Sequence, residues 1–106
     1  MHKYSGTNKD IVEAVIDALS ELGSSSTRSL IWHLENKGIS LDPQNFVLQH
    51  FYRGLEELLG NGADMLMQEV YENLRKRLSV DPGPQVGLSA VDKIEKIISM
   101  KDGDHK

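Results

Sequence analysis

Apolar residues recur along this chain at steps of three and four, in five separate stretches. That is the period of an α-helix with one buried face. In the first stretch Ile11, Val12, Val15, Ile16, Leu19 and Leu22 fill one side of a helical wheel, and Asp10, Glu13, Asp17 and Glu21 the other. Thr7 or Asn8 is placed to cap its start, and Gly23 to end it. The second helix has Ser24, Ser25 and Ser26 as N-caps and Gly38 as its stop. Thr27, Leu30, Ile31 and Leu34 share one arc of it. The third is predicted to start at Asp42-Pro43, aspartate as N-cap and proline at the first helical position. Val47, Leu48, Phe51, Leu55, Leu58 and Leu59 form its apolar face, with Gly54 at the edge. A glycine inside a helix costs about 1 kcal/mol against alanine, so close approach of a neighbouring helix is expected there. The fourth helix, from about Ala63 to Leu78, turns Leu66, Met67, Val70, Tyr71, Leu74 and Leu78 inward. The breaker-rich stretch from Asp81 to Gly87 reads as a loop. Ser89 and Asp92 resemble a capping box. They start a last helix to about Met100, with Ala90, Val91, Ile94, Ile97 and Ile98 on one side. No stretch alternates with period two long enough to claim a strand. The pattern predicts an all-α fold, a compact bundle of about five helices. It forms one domain over residues 1–106, with 1–7 and 102–106 loose at the ends.

Composition narrows the functions open to such a bundle. With 106 residues there is material for one core. The chain has no cysteine, which excludes disulfides, thiolate catalysis and cysteine-ligated zinc. No apolar run approaches the roughly 18 residues needed to span a membrane. The N-terminus lacks the apolar core of a signal peptide, so a cytoplasmic protein with no membrane contact is expected. The formal charge of −4 counts against a general nucleic-acid binder, which carries a basic surplus.

The chain offers few signals of chemistry. The acidic stripe Asp10, Glu13, Asp17 and Glu21 runs along a helix rather than converging, and reads as a solvated face. His33 and His50 have no metal-ligating partner at helical spacing. Gly60-Asn61-Gly62 lacks the Lys-Ser/Thr pair of a phosphate-binding loop. There is no nucleophile elbow and no strand to carry one. We therefore expect no catalytic residue, no metal, no cofactor and no enzymatic activity. A nucleic-acid reading stands as the alternative, a transcriptional regulator in which the second and third helices form a helix-turn-helix-like arrangement. Its reading helix, 43–59, carries Arg53 against Glu56 and Glu57. A basic patch of Arg75, Lys76, Arg77, Lys93, Lys96 and Lys101 would form if the last two helices pack side by side.

Trp32 is the only tryptophan. On the wheel it falls about 150° from the middle of the Leu30–Leu34 arc, among Arg28, Ser29, Glu35 and Asn36. Either the second helix is an inner one, packed on two sides with another helix (the last one, for instance) covering Trp32, or the indole anchors a partner. Tryptophan serves both uses well. On the second reading Arg28, Trp32 and Glu35, with His33 beside them, form a partner surface. The partner is another protein or a second copy of the chain, since Met65 also points away from its helix's apolar face.

Ile31-Trp32-His33-Leu34-Glu35 resembles the Trp-His-Leu-Glu signature of a small archaeal helical family, the Nitrosopumilus output domain of the fifth type. Phe51, Leu55-Glu56 and Leu58-Leu59-Gly60-Asn61-Gly62-Ala63 resemble that family's Phe…Leu-Glu…Phe-Gly-x-Gly-Ala segment at fitting distance. The two matches span residues 11–78. Leu59 departs from the aromatic expected there, and the Pro-Gly-Pro loop and final helix do not align. The resemblance implies an archaeal source and a role as an output part of signalling proteins, alone or joined to sensor modules. It brings no catalytic residues. The expectation is a non-catalytic protein-interaction or signalling-output domain.

Overall fold

The structure, a computed structural model, describes residues 6–80 and 87–103, with side chains over 8–80 and 87–100. Among these it forms five helices and no strand: α1 Gly6–Ser20, α2 Ser24–Asn36, α3 Leu48–Leu59, α4 Gly62–Leu78 and α5 Ala90–Gly103. The all-α bundle follows from the periodicity. None of these helices is long and apolar enough to cross a membrane. The predicted loop at 81–86 lies outside the described residues, as do most of the ends expected to be loose.

The bundle is built around α4. Ala63, Leu66, Met67, Val70, Tyr71 and Leu74 are buried along it. α1 packs on this face most extensively, then α5 and α3. The buried side of α1 is Ile11, Val12, Ala14, Val15, Ala18 and Leu19. Ala14 and Ala18 project little, so α4 can sit close, and the Asn73 amide donates to the Ala14 carbonyl at 3.3 Å. Ile16 and Leu22, expected inside, are exposed. α5 contributes Val91, Ile94 and Ile97. Its start is capped as predicted, with the Asp92 N–H donating to Ser89 Oγ at 3.2 Å.

The acidic stripe of α1 is not merely solvated. Arg77, in the last turn of α4, reaches Asp10 at 3.7 Å, Asp17 at 3.5 Å and, closest of the three, Glu13. These groups are a third or more exposed, so each pair contributes at most about 1 kcal/mol. The arrangement sets how α1 lies along α4 more than how tightly it holds.

Three predicted helix starts are corrected. α3 begins at Leu48, not at Pro43. Asp42 instead closes a turn: its carboxylate accepts the Gln44 N–H at 3.1 Å and its carbonyl the Asn45 N–H at 2.8 Å. The same Asp-Pro pair serves turns as well as helix starts. The chain then stays extended through Val47, which is exposed rather than on an apolar face, and drops Phe46 into the core. Asn8 does not cap α1, which starts ahead of it. Its side-chain amide donates to the carbonyls of Pro43 and Phe46 and holds this turn. Gly23, not a serine, is the N-cap of α2, at φ 95°. A positive φ suits glycine, and its carbonyl accepts the Thr27 N–H at 2.9 Å.

Gly54 is explained by close approach of a neighbouring helix, as expected, through Leu34 of α2, and closer still by a loop side chain. A Cβ there would lie 2.3 Å from Ile39 Cδ1 and 3.1 Å from Leu34 Cδ2. Ile39, in the connection after α2, is thus pressed against the α3 backbone.

Candidate functional site on the outer face of the second helix

The structure removes one reading of Trp32, that another helix of the bundle covers it. The indole is 61% exposed. α2 is not an inner helix: it packs on α3 and α1, and neither α4 nor α5 reaches it. Only Leu30 and Leu34 are buried along it. The connection after α2 does not cover the indole either: Ile39, Leu41 and Phe46 turn inward and pack on the core.

Arg28, His33 and Glu35 are exposed beside Trp32. The His33 ring meets the indole edge-on, centroids 5.1 Å apart and planes at 79°. Among the described residues Arg28 and Glu35 have no ion-pair partner. The four residues read from the sequence therefore share one open surface.

That surface continues into a groove the sequence did not disclose. Leu22, Leu59 and Met65 line a cavity of about 430 Å³ between the ends of α1 and α3 and the start of α4, over Ala18 and Leu66. Met65 is 76% exposed. Glu21 and Glu69 stand at its rim. A second recess, about 510 Å³, joins it to α2: Leu22 and Leu59 line both, and Ser25, Ser29 and His33 form its α2 side. Scattered exposed apolar residues are ordinary, but these three share one groove. Leu22 and Leu59 read as core because they continue the stripes of α1 and α3. They lie at or beyond the last turns, where those stripes run off the packed body.

The other candidates gather less. Lys37 pairs with Glu57 at 2.6 Å. The hydrogen bond and charge of Lys37 hold the Glu57 carboxyl below its ordinary pKa, Arg53 adding to the effect. His50 shares a cleft with Glu57, but that carboxylate is already engaged. Tyr52 donates to Asp64 at 2.7 Å, tying α3 to the start of α4. That bond raises its phenol well above the usual value, with burial and Glu56 adding to it. Among the described residues no three histidines and carboxylates gather to hold a metal ion.

The predicted basic patch divides. Arg77 is turned to the α1 carboxylates. Arg75 pairs with Glu72 at 3.1 Å and lies over the Tyr71 ring at 5.8 Å, and Lys93 covers that ring at 5.3 Å. Lys76 and Lys96 are exposed. The side chain of Lys101 lies outside the described residues. The connection from Lys37 to Val47 between α2 and α3 is far longer than the three or four residues of a helix-turn-helix.

Compared with family models, with curated proteins and with solved structures, the chain finds no match.

Proposed function

We propose that this chain is a non-catalytic helical interaction module of the signalling-output kind, acting in the cytoplasm. It docks a protein on the outer face of α2 through Trp32 and Arg28, with His33 and Glu35 beside them. The observation that carries this reading is the 61% exposure of Trp32 on a helix that buries two side chains. A buried aromatic is worth on the order of 2–3 kcal/mol to folding, and this fold leaves it in water. At interfaces tryptophan is among the residues that carry most of the binding energy. The resemblance of Trp32-His33-Leu34-Glu35 to an output-domain signature agrees with the reading. The nucleic-acid alternative has less support, because the charge of Arg77 is already met by three carboxylates.

The test places a photoreactive residue at Asn36, beside Trp32, in the chain expressed in its native host. A discrete protein adduct is expected, and Trp32→Ala should abolish it. The same substitution should leave the thermal midpoint almost unchanged, since an exposed position away from the core shifts stability by no more than about 0.5 kcal/mol. Adducts from a probe at Lys96 with none from Asn36 would remove the proposal. So would a large loss of stability in Trp32→Ala.

A further inference from the structure

We infer that the protein docked on this face is a second copy of the chain, with Trp32 of each protomer seated in the groove of the other between α1 and α4. The inference rests on the reading of α2 as a docking face and names its occupant.

Three observations carry it. The first is apolar fit. Among the described residues Trp32 is the largest exposed apolar side chain, and Leu22, Leu59 and Met65 form an apolar groove of about 430 Å³. That volume lies within the usual range of clefts that enclose a bound group, and is ample for an indole.

The second is charge. The rim of the groove carries Glu21 and Glu69, and neither has an ion-pair or hydrogen-bond partner among the described residues. Arg28 lies one helical turn before Trp32 on the same face and is equally unpaired. With the indole in the groove, the guanidinium is the group that meets those carboxylates. Glu35, a turn to the other side of Trp32, would be repelled by them. The charges therefore fix which way the incoming helix runs. Carboxylates on the rim and a net charge of −4 make an anionic membrane surface a poor occupant.

The third is placement. His33 touches Trp32 and lines the recess that Leu22 and Leu59 share with the groove. Knob and groove thus lie on one side of the molecule. A two-fold axis between them satisfies both at once, giving a closed pair rather than a growing chain of subunits. Two anchors with limited surroundings make a small interface, at the lower end of those that bind specifically. Micromolar dissociation is the scale expected for it.

The test is a charge exchange between copies, read by sedimentation and by the emission of the single tryptophan. The wild-type chain should dimerise as concentration rises, with its emission moving from a water-like to a shorter wavelength. Trp32→Ala removes both anchors of the pair and should weaken dimerisation by about 1,000-fold, about 30-fold for each anchoring residue lost. Arg28→Glu should be monomeric, and so should Glu21→Arg with Glu69→Arg. Mixing these two variants should restore the dimer, because every contact in the mixed pair is then complementary. All these positions are exposed, and helical circular dichroism of each variant verifies folding. A wild-type chain that stays monomeric up to about 1 mM, the weakest association of interest here, overturns the inference. Exchange variants that dimerise alone, or that fail to pair when mixed, overturn it too. Monomeric wild type with an Asn36 adduct to a different protein ends the dimer but leaves the docking face standing. No adduct of either kind ends both.

Discussion

Phe51→Ala should cost about 3–5 kcal/mol of folding free energy, as full removal of a buried phenyl ring does. Phe51 is completely inside, near the start of α3, and its ring packs on Phe46 with centroids 5.6 Å apart and planes at 48°. Phe46 is supplied by the turn before the helix, so the cavity opens between a helix and a loop. Part of it can close by movement of that loop, which favours the lower half of the range. Domains of this size hold roughly 5–15 kcal/mol in all, and a loss of this order removes a large share of it. Urea titration followed by helical circular dichroism measures it. Val47→Ala, one residue beyond Phe46 but exposed, is the matched control and should change stability by no more than about 0.5 kcal/mol. A loss below about 1 kcal/mol for Phe51→Ala would mean that α3 does not seat this ring in the core.

Gly54→Val should destabilise by about 1–3 kcal/mol, the usual cost of forcing added methyl groups into a packed core. Two effects oppose each other at this position. Any side chain removes the flexibility of a helical glycine, worth up to about 1 kcal/mol in its favour. Against it, the first carbon added falls 2.3 Å from Ile39 Cδ1 and 3.1 Å from Leu34 Cδ2. Ile39 Cδ1 is the end of a flexible chain and can swing away, so Gly54→Ala alone has a small net effect. Valine adds two further carbons beside Leu34, which is fully buried. Pairing Gly54→Val with Ile39→Ala should recover part of the loss. Strictly additive costs in the double variant would show that the two sites do not touch.

Much of this fold could be read from spacing. The stripes of α1, α4 and α5 fall at regular helical steps, and their buried residues are largely those the wheel selects. The largest error lies between Lys37 and Leu48. There the Asp42-Pro43 pair suits a helix start and a turn equally, and no local rule decides between them. What decides is tertiary: Asn8, far away in sequence, holds the Pro43 and Phe46 carbonyls. Arg77 was likewise legible as a member of a basic patch and not as a partner of α1. That it finds three carboxylates of α1 depends on how α1 and α4 cross.

For the candidate site, the outward direction of Trp32 was plain from the wheel, but its exposure was not. An aromatic opposite an aliphatic arc looks the same whether or not another helix covers it. The apolar groove was invisible for a similar reason. Its residues come from three helix ends and meet only when the bundle is assembled.

Gly23, turned to φ 95° ahead of α2, Leu30 and Leu34, and the Thr27 hydroxyl on the Leu19 carbonyl are most of what attaches α2 to the body. The other helices are held by more buried apolar surface. Local opening is cheapest where least is buried, so the amide hydrogens of α2 should exchange with solvent before those of α4. A face that opens alone behaves as a latch. Whatever settles across Trp32 and onto α1 pins α2 down, and its binding energy is shared between making contacts and closing that latch.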